Sequence, residues 1–297
     1  TVLASLALLL VYFAADGLRL WFTLRALGQT IAFADLARLV MLNIYISNIT
    51  PMATGGGVAQ VWFMHRRGVP VGVGLAATTL RTALAAAFIF AGTPAFLLML
   101  PQAQSVAENN ALLLTLGVLV ALYVAFFVVL IMRTRWLLQP TLAVLKGLQR
   151  LHLIRPARYR RWRWQAARAL LQFAHGFGQY IRGARLDIAA SLVCTVVFLL
   201  ALFSFPVLLF QSLGYSYDYW LVIGRMVVTT FVMYFSPTPG ASGVAEGVFA
   251  YFFRDVVTAS HLVLVTLAWR VLTTYLGMLI GVFVLQREIA AERRQPA

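Results

Sequence analysis

The sequence contains few charged residues and almost no cysteine, and each scarcity excludes a class of protein. Charged residues make up 11% of the 297 positions, whereas soluble domains carry about 25%. A soluble globular enzyme is therefore excluded. The only cysteine is Cys194, so an internal disulfide and a cysteine metal cluster are excluded too. Walker A, H-E-x-x-H and G-x-S-x-G patterns are also missing, and we expect no metal and no cofactor.

Hydrophobic residues dominate instead. They account for 62% of the chain, with a mean hydropathy of +0.86, which predicts an all-α polytopic membrane protein. Five apolar segments are long enough to cross the hydrocarbon layer, namely 2–24, 72–100, 110–132, 187–212 and 258–285. Two further apolar segments, 36–64 and 219–253, are interrupted in the middle by proline and glycine.

Basic residues indicate the orientation. Lysine and arginine outnumber acidic residues by 24 to 9, and twelve of them lie in the linker 133–185. The positive-inside rule places this linker and the tail 286–297 on the cytoplasmic side of a bacterial-type inner membrane. Apolar residues recur every three or four positions from Tyr159 to Ala184, which predicts an amphipathic helix on the membrane surface. Interleaved tryptophan and arginine would also suit RNA, but attachment to spans on both sides favours lipid, and we expect no nucleic acid partner.

The two interrupted segments belong to an internal repeat. Residues of the first half recur at a near-constant offset in the second: Gly28 and Gly214, Arg38 and Arg225, Thr50-Pro51 and Thr238-Pro239, Gly57-Val58-Ala59-Gln60 and Gly243-Val244-Ala245-Glu246, Arg81 and Arg270. We therefore predict a first repeat over 1–100, a connecting transmembrane helix over 101–132, the linker, and a second repeat over 186–285. Each repeat would consist of a span, a broken re-entrant hairpin and a span.

The orientation assigns opposite directions to the two repeats. Inverted repeats with broken helices are typical of transporters whose site lies between the repeats near the membrane midplane. The alternative is a duplication in a purely structural protein.

The breaks themselves predict a function for helix ends. Proline removes a backbone donor, and Gly55, Gly56 and Gly57 permit a tight turn and close backbone approach. We expect the second half-helices to begin near Gly57 and Gly243. Their N-termini would face the centre of the protein, where unpaired N–H groups favour an anion such as a lipid phosphate.

Several polar residues near the breaks are candidates for the site, and each has a structural alternative. Gln60 and Glu246 could handle substrate or protons, or cap their helices. Arg81 and Arg270 lie within spans, where charged residues are functional by default, or they pair with Glu246 or free carbonyls.

The remaining candidates lie further out. Arg38 and Arg225 could guard the entrances or anchor to headgroups. Asn48, Thr54 and Ser242 could line the site or cap helix ends. Asp16 and Arg19 are one turn apart, which predicts a mutual ion pair.

These motifs also resemble a known family. "NITPMATGGGVAQVWFM" followed by "HRRGV", together with "PTPGASGVAEGVFAYFF", is similar to the membrane, flippase-like domain of lysylphosphatidylglycerol synthases. The resemblance implies a lipid-translocating domain with site residues at Thr50, Pro51, Thr54, Gly55, Gly56, Gln60, Pro237, Thr238, Pro239, Gly240, Gly243 and Glu246. Neither the linker nor the tail predicts the soluble aminoacyl-transfer domain of the bifunctional members, so we expect a transporter rather than an enzyme.

The expected function is thus a flippase or scramblase for a phospholipid or another lipid-phosphate-linked amphiphile. The expected partners are membrane lipids, either an anionic phospholipid or a polyprenyl-phosphate-linked molecule. Two alternatives stay open, a membrane-embedded transferase acting on a lipid phosphate and a scaffold for a lipid-modifying partner enzyme. A homodimer is left open as well.

Overall fold

A computed structural model describes residues 2–99 and 156–293, together with isolated positions between 114 and 149. All regular elements of the described ranges are helical, as expected for backbone that must satisfy its own hydrogen bonds in lipid. The helices are α1 (Val2–Ala26), α2 (Phe33–Ile49), α3 (Thr54–Arg66), α4 (Val71–Met99), α5 (Pro156–Arg182), α6 (Arg185–Ser212), α7 (Tyr219–Met233), α8 (Val244–Phe253), α9 (Ala259–Arg270) and α10 (Leu276–Arg293).

Four helical stretches are long and apolar enough to cross a membrane. They are Val2–Ala26, Val71–Leu97, Arg185–Ser212 and Ala259–Ala291, the last of which joins α9 to α10 through one π-helical segment, Val271–Tyr275. Their bounds coincide with those of four of the five predicted spans. The fifth, 110–132, and much of the linker lie outside the described residues.

The first helix of each half ends in the same way. Gly28 and Gly214 follow α1 and α6 with positive φ angles of 69° and 82°. The next residue then donates its N–H back to the last turn, from Gln29 to the carbonyl of Leu24 in one case. Tyr215 makes the equivalent bond in the other half. Glycine is needed here because only it adopts a left-handed C-cap without strain. This requirement explains why Gly28 and Gly214 correspond in the two halves.

Helices of one half pack against those of the other. Helices α1 and α6 are antiparallel, since Tyr12 stacks on Phe198 with ring centroids 5.1 Å apart, and Arg25 lies 3.3 Å from Asp187. Helix α2 packs against α10, and α7 packs against α4. The second helix of each half therefore contacts the last helix of the other half.

Glycines allow these close contacts. A Cβ at Gly277 would lie 2.9 Å from Ile44, and one at Gly281 would collide with the α2 backbone. At the α4–α7 contact, a Cβ at Gly224 would lie 2.6 Å from the ring of Phe96. Small residues at helix contacts are the usual way in which membrane helices gain van der Waals packing.

Helix α5 is the predicted amphipathic helix, and the structure shows what covers part of its apolar face. Phe173, Phe177 and Tyr180 are buried in a core that α1, α2, α3 and α4 also form. The Tyr180 hydroxyl lies 2.6 Å from the Ser191 hydroxyl of α6. Towards its N-terminus the helix is exposed, with Trp164 62% accessible. Phe173, Phe177 and Tyr180 thus pack on protein, whereas Trp164, Leu171 and Ile181 of the same helix are exposed.

Candidate functional site

The first broken hairpin turns at residues 50–53, here called the first break. Helix α2 ends at Ile49, Thr50 is extended, and Met52 and Ala53 adopt left-handed φ angles of 53° and 54°. Helix α3 then begins at Thr54. The expectation that it begins near Gly57 and that the glycines form the turn is therefore wrong, because two residues with side chains make the turn instead.

The glycines after the first break allow α3 to lie close to α2. A Cβ at Gly55 would lie 2.6 Å from the Thr50 side chain, and one at Gly56 would overlap the Ser47 hydroxyl. The Thr50 hydroxyl donates to the carbonyl of Ile46 at 2.7 Å and accepts the Gly55 N–H at 3.0 Å. Thr50 and the glycines thus hold α3 tightly against α2.

The second broken hairpin turns at residues 234–243, here called the second break. Its left-handed residues are Gly240, Ala241 and Gly243, and α8 begins at Val244 as predicted. The Glu246 carboxylate accepts the Gly243 N–H at 2.6 Å, which confirms that it caps its helix. Thr238 closes the turn by donating to the carbonyl of Ser242 at 2.9 Å.

The two breaks meet. A Cβ at Gly240 would lie 2.6 Å from the amide oxygen of Asn48, so the end of α2 just before the first break contacts a glycine of the second break, and the two breaks contact each other as well. Arg270 secures the second break: its Nη2 donates to the carbonyl of Gly240 at 2.9 Å, and its Nε lies 2.8 Å from Glu246. Arg270 is buried, whereas Glu246 is 31% exposed.

Much of the surface around this contact is exposed. The exposed residues of the breaks are Pro51, Met52, Ala53, Phe235, Pro237, Pro239, Ser242 and Gly243, and Thr54 at the start of α3 is exposed as well. Irregular backbone of this kind is stable at membrane depth only beside protein or a water-filled cavity. The π-helical segment begins at the residue after Arg270. Such segments occur often at functional sites, and nothing in the sequence predicts this one.

Arg81 does not lie beside Arg270, although the repeat makes them equivalent. Its Nη1 is 3.6 Å from Asp16, which also accepts a hydrogen bond of 2.8 Å from the Nε of Arg19. All three side chains are at least nine-tenths buried. The predicted Asp16–Arg19 pair is thus confirmed, and the structure adds a second arginine to it. We call these three residues the buried triad.

The buried triad lies close to the second break. Tyr234, the first residue of that break, interacts electrostatically with both Arg19 and Arg81. Its ring packs edge-on against Phe90, with centroids 5.8 Å apart. The next residue, Phe235, is 42% exposed. Sequence reasoning missed Tyr234, because a tyrosine in an apolar stretch carries no signal of its neighbours.

Arg38 belongs to an ion network at the opposite end of α2 from the first break. Arg67 donates to Asp35 at 3.0 Å and 3.1 Å and contacts Glu288 of α10, while Arg38 lies 3.4 Å from Asp35. The hydrogen bonds with Asp35 raise the pKa of Arg67 above its usual value. The network also includes Arg66, and it joins helix ends that the charge pattern assigns to the same side of the membrane.

Arg225 forms an ion pair outside this network. It forms a bidentate ion pair with Asp255, with two nitrogen–oxygen distances of 3.0 Å, and it also donates to the carbonyl of Phe252. Its side chain is 4% exposed. The arrangement fixes the end of α8 against α7.

Gln60 is the one predicted site residue without a polar contact in the described part of the chain. It is 1% exposed, and neither atom of its amide has a hydrogen-bond partner. The acidic residues Asp35, Asp255 and Glu288 were missed as partners of arginine. Acidic residues are rare in this chain, and an acidic residue in so apolar a chain needs a counter-ion. Their presence could therefore have indicated ion pairs with arginine.

Comparison with known proteins agrees with this architecture. The sequence profile of the Lysylphosphatidylglycerol synthase TM region matches residues 1–281. A "UPF0104 membrane protein" from Archaeoglobus fulgidus is 23% identical over 256 residues, which cover 86% of this chain and 76% of that protein. No solved structure matches the chain. With a match over nearly its whole length, this membrane protein belongs to the family of the lysylphosphatidylglycerol synthase transmembrane region.

Proposed function

We propose that the protein moves a lipid with a phosphate-containing headgroup between the two leaflets of a membrane. The observation that carries the proposal is the contact between the two breaks, where Asn48 rests on Gly240 and Arg270 binds the same glycine. Polar, partly exposed backbone interrupts apolar helices there. A headgroup would pass beside this contact while its acyl chains stay in the hydrocarbon layer.

The packing of the halves supports alternating access. Equivalent helices α1 and α6 are antiparallel, and the second helix of each half contacts the last helix of the other. Such pairing is expected for repeats of opposite direction in the membrane. Small rotations of one half against the other would then open the break contact to either leaflet in turn.

The ends of the helices support a cytoplasmic location for the basic linker. Arg25 at the end of α1 pairs with Asp187 at the start of α6, directly after α5. The Arg67 network lies at helix ends of the same assigned side. We therefore propose that α5 and the C-terminus face the cytoplasm of a bacterial-type cell, as the positive-inside rule predicts.

The test is lipid translocation in proteoliposomes. Arg270→Gln removes the charge beside Gly240 and Glu246, and we expect it to slow translocation of a fluorescent phospholipid by about tenfold or more, as loss of a buried, charge-assisted hydrogen bond can. Arg287→Gln is the matched control, because Arg287 lies in the same continuous helical stretch but is exposed.

Three results would contradict the proposal. The first is no translocation by the unmodified protein. The second is equal translocation rates for Arg270→Gln, Arg287→Gln and the unmodified protein. The third is a lipid product of changed mass after incubation, measured by mass spectrometry, which would favour a membrane-embedded transferase.

A further inference from the structure

The buried triad contains more positive than negative charge. Arg19 and Arg81 each carry one positive charge at neutral pH, and Asp16 carries one negative charge. Both arginines are within ion-pair distance of the same Asp16 oxygen, at 2.5 Å and 3.6 Å. Among the described residues, no other acidic side chain lies within ion-pair distance of either arginine. Within the part of the helix bundle that the structure describes, one positive charge of the triad therefore has no matching negative charge.

The hydrogen-bonding capacity of the triad is also unused. Nη1 of Arg19 and both Nε and Nη1 of Arg81 are buried and have no hydrogen-bond partner among the described residues. A guanidinium group with unbonded N–H groups in an apolar interior is costly unless an acceptor binds it. Two arginines that share one carboxylate thus have three buried nitrogens without an acceptor among the described residues.

The arginines are held in position for such an acceptor. The guanidinium of Arg19 stacks over the ring of Phe198, with its central carbon 3.7 Å from the ring centroid. Its Nε is fixed by the hydrogen bond to Asp16. Arg81 projects from α4 towards the same carboxylate. Planar guanidinium groups fixed in this way match the oxygen geometry of a phosphate.

We propose that the buried triad binds a singly charged phosphate oxyanion, either the phosphodiester of a lipid headgroup or the monoanion of free inorganic phosphate. One negative charge balances the excess of Arg19 and Arg81 over Asp16, and the oxygens accept the unused N–H groups. The lipid version of this proposal rests on the proposed function and locates one headgroup position. The site differs from the helix tips of the break contact, because its donors are side chains of α1 and α4.

Tyr234 of the second break is a neighbour of the triad. Tyr234 interacts electrostatically with both arginines and is itself only half-buried. Beside it, Phe235 is exposed.

The competing explanation is that Arg81 and Arg19 are only structural partners of Asp16. The two explanations predict different effects of one substitution on the affinity for an oxyanion. Asp16→Asn removes the shared carboxylate and raises the net charge of the triad by one. A binding site then attracts an oxyanion more strongly, whereas a structural cluster loses its centre and gains no affinity.

The experiment measures equilibrium binding to the full-length protein in nonionic detergent. Native mass spectrometry follows titration with phosphatidylglycerol, a singly charged phosphodiester, and with diacylglycerol as the lipid that lacks phosphate. Calorimetry follows titration with inorganic phosphate. We expect Arg81→Gln to weaken binding by about tenfold and Asp16→Asn to strengthen it by about tenfold, because each changes the charge beside the anion by one unit. Arg254→Gln, which alters an exposed arginine, should leave binding unchanged.

Each outcome decides the proposal. Binding of phosphatidylglycerol but not of inorganic phosphate identifies the headgroup as the source, and binding of inorganic phosphate identifies a site open to free anions. Binding of neither overturns the proposal, as does equal affinity of Arg81→Gln and Arg254→Gln. If Arg81→Gln does not fold, Asp16→Asn decides alone: tighter binding supports the site, and unchanged or weaker binding overturns it.

The result is separable from that for the proposed function, since binding is measured in detergent without translocation. Translocation without binding at the triad would remove this site and leave the proposed function intact. Binding at the triad without translocation would leave this site intact and contradict the proposed function.

Discussion

Each of the four arginines related by the repeat has a carboxylate close by. Arg38 contacts Asp35, Arg225 contacts Asp255, Arg270 contacts Glu246, and Arg81 contacts Asp16. Uncompensated charge is expensive in an apolar interior, which explains the partners of the three buried arginines, Arg81, Arg225 and Arg270. The arginines recur at a near-constant offset, but their partners do not, so the repeat predicts the cations and not the ion pairs.

Arg225 and Arg38 differ in burial, and their loss should differ in consequence. We expect Arg225→Gln to lower the free energy of unfolding by about 2–3 kcal/mol, because a bidentate bond to Asp255 and a bond to the Phe252 carbonyl are lost. Arg38→Gln should cost less than about 1 kcal/mol, since its side chain is 53% exposed and Arg67 still holds Asp35. Denaturant titration in mixed micelles measures both, and equal losses would contradict the role assigned to Arg225.

At the scale of the element, glycines decide how closely helices approach. In the first hairpin they lie on the first turn of α3, where Gly55 and Gly56 face α2 and Gly57 faces open space. The turn itself uses Met52 and Ala53. Sequence reasoning located this break correctly from Thr50-Pro51, but it assigned the turn to the glycines, because a run of glycine suggests positive φ equally well as close contact.

Two glycines of α3 provide a matched pair of substitutions that tests the close packing of α3 on α2. Gly56→Ala places a methyl group on the Ser47 hydroxyl and beside Asn43, and we expect a loss of about 1–3 kcal/mol from overpacking. Gly57→Ala meets nothing within 4 Å, so a gain of up to about 1 kcal/mol is expected from helix propensity. Thermal unfolding in detergent gives both values. A stabilised Gly56→Ala protein would show that α3 does not pack on α2 in this way.

At the scale of the whole molecule, the two halves complete each other. Helix α2 lies on α10 and α7 lies on α4, so neither half buries its own hairpin alone. The breaks are brought together by this exchange, which no local segment specifies. A protein built in this way should fold as one unit, with both halves required for the break contact.

Opposite direction of the halves can be tested by labelling. In a Cys194→Ser background, cysteines replace Arg168 of α5, Ser260 of α9 and Arg287 of α10, all of which are exposed. We expect an impermeant maleimide to reach Arg168→Cys and Arg287→Cys only from the cytoplasmic side, and Ser260→Cys only from the other side. Spheroplasts and inverted vesicles provide the two directions. Labelling of all three from one side would rule out the inverted arrangement.

The sequence by itself determined that the chain is an all-helical membrane protein, where four helices of membrane-spanning length lie and where both hairpins break. These properties follow from local composition, since apolar length, proline and glycine act on the residues beside them. Only the tertiary structure decided which side chains meet. Arg81 joins Asp16 and Arg19, 65 and 62 positions away in the chain, and Asn48 rests on Gly240, because packing of antiparallel helices brings together residues that no sequence period connects.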